Sequence, residues 1–122
     1  MEEKNFYQEN QLYQPKAVPT ELIKGCNGYR ESVLKGWENR IIKNMNQSHL
    51  ATLAGFYAPH LSQWLSKKAG MADMPARCLP SFCLVTGNFI PIQWLAQESG
   101  LTLMEEMQAN MRDYRFDLRR AA

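Results

Sequence analysis

Apolar residues recur at spacings of three and four most clearly in one stretch of this chain. Val33, Trp37 and Ile41 share a register, with Leu34 and Met45 beside them, while Arg30, Lys35, Arg40 and Lys43 take the other faces. That pattern predicts an amphipathic helix over about 29–44. Before it, Thr20 is placed to cap a short helical segment through Lys24, and Gly25, Asn27 and Gly28 break the period. After it, a short helix is expected from Asn46 or Gln47 to Gly55 and another from about Ala58 to Lys68, with a loop over 69–73. Proline is favoured in the first turn of a helix and costly inside one. Pro75 and Pro80 therefore frame a loose turn at 75–78 and a helix over about 80–86, which Gly87 and Asn88 stop. Pro91 opens a further helix, 91–98, ended by Gly100, and Thr102 is placed to cap a terminal helix reaching about Arg119. Residues 1–18 hold no period and end between Pro15 and Pro19, so a flexible arm is expected there, with Phe6, Tyr7, Leu12 and Tyr13 able to dock on the body or on a partner. The chain thus divides into an arm (1–18), a helical body (19–100) and a C-terminal helix (101–122).

Composition sets the fold class. Leu, Ala and Met number 31 against 12 Val, Ile and Thr, which favours helix over sheet. The expectation is all-α: a bundle of about five short helices with a terminal helix and an arm. With 122 residues, 45% of them hydrophobic and 21% charged, the chain can build one real core and is not disordered throughout. No apolar run approaches the roughly 18 residues of a membrane span, and Met1 opens a polar, acidic segment unlike a secretory signal. Membranes are therefore not expected as partners. Cys26, Cys78 and Cys83 form no C-x-x-C pair and have only His49 and His60 for company, so reduced cytosolic thiols are expected rather than a metal site. No glycine-rich phosphate loop, carboxylate pair or nucleophile spacing stands out. Neither catalysis nor a cofactor is expected.

The most informative stretch is residues 47–66, QSHLATLAGFYAPHLSQWLS. Leu50, Leu53 and Ala54 face inward on the first short helix, and small Ala51 admits a close crossing. Gly55 can take the left-handed conformation that ends a helix abruptly, and Phe56 plugs the turn. Leu61, Trp64 and Leu65 line the buried side of the second helix. Tyr57, Ala58, Pro59, His60, Ser62, Gln63 and Ser66 are left for an outward face. This is the pattern of a helix-turn-helix, whose second helix is presented to a major groove.

The stretch resembles the helix-turn-helix of lambda-repressor-like phage and prophage regulators of the Cro, CI and CII kind (Xre-type). Gln47 matches the polar residue that opens the first helix, and Ala51, Gly55 and Leu61 match the small, glycine and aliphatic positions of that family. The string His60-Leu61-Ser62-Gln63-Trp64 is similar to the recognition helix of CII-type activators. Leu79–Gly87 and Ile90–Leu95 look like the two closing helices, so the resemblance spans about 29–100. The chain departs from the pattern in placing Pro59 near the start of the second helix and in having no Arg or Lys there before Lys67. The resemblance implies an oligomeric transcription regulator that binds specific double-stranded DNA, in the cytoplasm of a bacterial cell or phage-infected host.

Charge and side-chain chemistry assign the expected roles. The net charge of +2 is mild, but between Arg40 and Pro80 five basic residues (Arg40, Lys43, Lys67, Lys68, Arg77) face a single acid, Asp73. Lys67 and Lys68 suit phosphate contacts and also suit a helix C-terminus. Gln63 can offer an amide bidentately to adenine, and Ser62 and Ser66 can reach a base edge or a phosphate. Tyr57 and Ala58 sit at the helix entry, where apolar contact with a thymine methyl is possible, and Pro59 in the first turn rigidifies that entry of the DNA-facing helix. Gln47 is placed to bind a phosphate at a helix N-terminus. Trp64 reads as core, and His60 as a surface residue that can reach the backbone. On the terminal helix Leu101, Met104, Met107, Met111, Tyr114 and Leu118 recur at threes and fours as an apolar seam, either folded back on the body or joining subunits. A homodimer or homotetramer is the favoured outcome; RNA polymerase and a toxin or regulatory protein are the further partners considered. The alternative reading is an antitoxin-like or protein-interaction module on the same scaffold.

Overall fold

The computed structural model of the chain describes residues 14–102 and 104–112. They form an all-α structure. In chain order the helices are α1 (Thr20–Lys24), α2 (Tyr29–Glu38), α3 (Gln47–Ala54), α4 (Ala58–Trp64), a 3-10 turn (Ala76–Cys78), α5 (Leu79–Thr86) and α6 (Ile90–Ser99). A further helix, α7, covers 104–112. None of the described helices is long and apolar enough to cross a membrane.

Local chemistry places most boundaries. Gly55, Gly87 and Gly100 follow α3, α5 and α6 with φ of 75°, 83° and 71°, the left-handed conformation in which a Cβ is costly. Pro59, Pro80 and Pro91 each lie in a first turn, where a missing N–H leaves nothing unpaired. Thr102 caps α7: its Oγ1 accepts from Glu105 N–H at 3.0 Å, and the Glu105 carboxylate accepts from Thr102 N–H at 3.4 Å. Thr20 does not cap α1. Pro19 holds the N-cap position and Thr20 is the first helical residue, with no side-chain capping bond.

Two helices are shorter than their periodicity predicts. The expected helix over 29–44 stops at Glu38, because its last carbonyls and the chain beyond are captured from elsewhere. Asn88 Nδ2 donates to the carbonyls of Gly36 (3.0 Å) and Asn39 (3.2 Å), and Ile41 N–H donates to Thr86 O at 2.9 Å. The Arg40 guanidinium lies 4.1 Å from the Trp37 ring centre and donates to the carbonyls of Trp37, Lys43 and Met45, holding 39–46 as an irregular bend. Met45 is buried but Ile41, in the same apolar register, is exposed, so beyond Glu38 the period is met only in part and by a folded loop rather than a helix. The second helix of the informative stretch likewise ends at Trp64 rather than Lys68. The described end of the expected arm is bonded to the body. Lys16 N–H donates to Gly87 O, Phe89 N–H donates to Lys16 O, and the Gln93 amide pairs both backbone groups of Val18 at 2.8 and 3.0 Å. The arm's aromatic residues, Phe6, Tyr7 and Tyr13, and Leu12 lie outside the described residues.

Packing assembles a helix pair and a group of three helices around one core. Helix α2 lies along α6, and α3 is held between α4 and α5. Gly36 permits the first of these. A Cβ there would lie 3.1 Å from Phe82, 3.3 Å from Pro91 and 3.4 Å from Asn88. Val33, Met45, Leu50, Leu61 and Phe82 are almost wholly buried in the core, where each aliphatic side chain contributes about 1.5–3 kcal/mol. The three cysteines are free thiols; burial pushes Cys83 up to about 12, so it is a protonated core residue at neutral pH.

Candidate nucleic-acid interface

Helices α3 and α4, joined by Gly55, Phe56 and Tyr57, form a helix-turn-helix unit. Its entry is a reciprocal cap. Asn46 Oδ1 accepts from His49 N–H at 2.9 Å, and His49 Nδ1 accepts from Asn46 N–H at 3.3 Å. At the turn, Phe56 N–H donates to Ala51 O at 2.9 Å, which fixes the left-handed Gly55 geometry. Phe56 then seats its ring edge-on to Trp64, with centroids 5.6 Å apart. Leu50 and Ala51 of α3 meet Leu61, Trp64 and Leu65 in the core, so one side of α4 is committed to packing.

The opposite side of α4 carries the predicted contact residues. Tyr57 (64% exposed), Ala58, Pro59, Ser62 and Gln63 are all exposed and share this one short helix and its entry. His60 is exposed among them, its ring 4.8 Å from Tyr57 and 6.0 Å from Trp64. Trp64, 8% exposed, is core. Gln47 is exposed at the first position of α3. Ser66, Lys67 and Lys68 belong to the turn after α4 rather than to the helix. Ser66 is half-buried and its Oγ accepts from Lys68 N–H at 3.1 Å, so its hydroxyl shapes that turn, while both lysines are exposed.

The exit of α4 is organised by residues whose role the apolar pattern does not reveal. Arg30, on α2, donates through Nε to Ser66 O (3.0 Å), through Nη2 to the carbonyls of Gln63 and Ser66, and through Nη1 to Ala72 O (2.8 Å). The same nitrogen lies 3.3 Å from the Asp73 carboxylate. Tyr29 Oη donates to Met74 O at 2.7 Å, and burial pushes the Tyr29 phenol up to about 12, which keeps it a donor. Of the five basic residues counted around the motif, Arg40 is thus spent on backbone carbonyls, while Lys43, Lys67, Lys68 and Arg77 stand exposed. Asp73, the acid among them, is paired with Arg30.

The terminal helix is separate from this surface. Leu101, Met104, Met107 and Met111 are 51–68% exposed, and Tyr114 and Leu118 lie outside the described residues. Where α7 begins, Leu101, Thr102 and Glu106 border an open groove of about 550 Å³ with Ala17, Thr20, Ile92 and Ala96. Comparison of the chain with protein-family models, with curated proteins and with solved structures finds no match.

Proposed function

We propose that this chain is a sequence-specific double-stranded DNA-binding transcription regulator of phage or prophage type, acting as an oligomer on an operator in the bacterial cytoplasm. The observation that carries the reading is the division of α4. Leu61, Trp64 and Leu65 are buried, while Tyr57, Ala58, Pro59, Ser62 and Gln63 project from the other side with Lys67 and Lys68 at the exit. An exposed helix face that carries hydrogen-bonding side chains in Ser62 and Gln63 and is flanked by cations suits major-groove readout. Its work is binding, with neither catalysis nor a cofactor. Selection of bound sequences from a random duplex pool tests the reading: a shared motif with half-sites about one helical turn apart supports it, and failure to bind any duplex at low salt overturns it.

Two substitutions separate affinity from readout. Changing Lys67 and Lys68 together to Ala should weaken binding to all duplexes alike and flatten the dependence of log affinity on log salt by roughly one unit per lost phosphate contact. An unchanged salt slope excludes both lysines from the backbone contacts. Gln63→Ala should cost about 1–3 kcal/mol on the selected duplex and little on random duplex. Equal losses on the two, in a variant with an unaltered melt, remove Gln63 from base recognition.

The exposed methionine face of α7 supports self-association as a homodimer or homotetramer, since a helix-turn-helix gains affinity by holding two half-sites together. The same face also favours a second reading, an antitoxin-like or interaction module in which Leu101, Met104, Met107 and Met111 take a toxin, another regulatory protein or RNA polymerase. A chain that stays monomeric and ignores duplex DNA would favour that reading.

A further inference from the structure

Arg30 braces the end of α4 from a different helix. Its side chain is 22% exposed, and its guanidinium spans the carbonyls of Gln63, Ser66 and Ala72 while pairing with Asp73. A helix C-terminus leaves its last carbonyls without intrahelical partners. Here the Gln63 carbonyl accepts from Ser66 N–H in the next turn at 3.2 Å and also from a rigid planar fork on a different helix, which goes on to the Ser66 and Ala72 carbonyls beyond the helix end. Gln63 is therefore held through its main chain and exposed through its side chain. Among the described residues no second side chain meets the Gln63 or Ser66 carbonyls: Tyr29 reaches Met74 O further along, the Ser66 hydroxyl accepts within the turn, and Lys67 and Lys68 are exposed.

We infer that Arg30 is a positioning residue for sequence readout: by gripping the Gln63 and Ser66 carbonyls it sets the direction from which the Gln63 amide meets a base edge. The inference rests on the DNA-binding reading above and deepens it, giving a basic residue that the sequence places on a polar helix face a role that acts through the backbone of α4. A bidentate amide contact depends on orientation as well as distance, so a small rotation of the helix end is enough to lose it. Lysine cannot replace the fork, because a single ammonium has neither the planarity nor the span to meet three carbonyls at once.

The test is a double-mutant cycle on the selected duplex and on random duplex, using the full chain. Arg30→Lys keeps the charge and should lower affinity for the selected duplex by roughly 5- to 150-fold, the equivalent of one lost bidentate base contact. Affinity for random duplex and the salt slope should stay at wild-type values. Combined with Gln63→Ala, it should add little further loss, because both changes remove the same contact. Thermal melts followed by circular dichroism supply the folded fraction to which each affinity is referred. If Arg30→Lys does not fold, Arg30→Gln, whose planar amide retains two donors, takes its place in the cycle. Equal losses on both duplexes with a flatter salt slope would make Arg30 a phosphate contact and overturn the inference. Losses that add to those of Gln63→Ala, or no loss at all, would overturn it too, while leaving the DNA-binding reading intact. If the wild-type chain selects no sequence, that reading fails and the inference falls with it.

Discussion

Ending the chain after Gly100 is expected to leave a folded monomer whose affinity for a duplex with two half-sites is lower by on the order of 10²-fold. The buried core cluster lies entirely upstream, its last buried member being Val85, and Leu101, Met104, Met107 and Met111 are exposed rather than packed into it. Removing them takes away little that the body needs, so the melt should remain cooperative and the helical content per residue high. The affinity loss has a different origin. Two motifs held in one oligomer present the second to its half-site at an effective concentration of about millimolar, and a monomer forfeits that gain without losing any contact. Affinity for a single half-site should therefore change little. Sedimentation of the truncated chain and titration of one- and two-half-site duplexes check both parts. A truncated chain that aggregates would place the seam against the body, and one that remains an oligomer would move the subunit interface away from α7.

Gly87→Ala is expected to destabilise the fold by about 2–4 kcal/mol, a large share of the stability of a small domain. Two penalties combine at this position. Its φ is 83°, where a Cβ meets its own backbone, and that Cβ would collide with Ile41 Cδ1 and lie 2.7 Å from Cγ1. The Ile41 backbone is held by its N–H to Thr86 O at 2.9 Å and by the neighbouring Arg40, so its Cβ stays 3.3 Å from the added Cβ and its 40% exposed outer atoms must change rotamer to clear it. The second penalty should be separable. Combining Gly87→Ala with Ile41→Ala removes the colliding atoms and leaves the backbone strain, so the double variant should be more stable than the sum of the two single losses predicts. Denaturant melts of the four proteins measure it. Strict additivity would show that the strain at φ accounts for the whole effect.

Much of the architecture is local and so was legible in the amino-acid sequence. Gly55, Gly87 and Gly100 stop helices because only glycine takes a left-handed backbone at no cost. Pro59, Pro80 and Pro91 mark first turns because only there is a missing N–H harmless, and Thr102 caps α7 with groups within three residues of itself. The alternation of buried Leu61, Trp64 and Leu65 with exposed Ser62 and Gln63 follows from the helical period alone, and with it the composition of the candidate contact surface. Tertiary structure decided the ends of α2 and α4 and the fate of the charges near them. Arg30 reaches Gln63 across 33 positions of the chain and Asn88 reaches Gly36 across 52. Such bonds end a helix whose apolar period continues, because a carbonyl captured from outside no longer needs the next N–H along the chain. No spacing in the sequence records which distant guanidinium or amide will do the capturing. Arg40 therefore looks, in sequence, like one of the cations around the motif, and Arg30 like a cation on the polar face of its helix. Folding turns them into the two grips that hold the entry and exit of the motif.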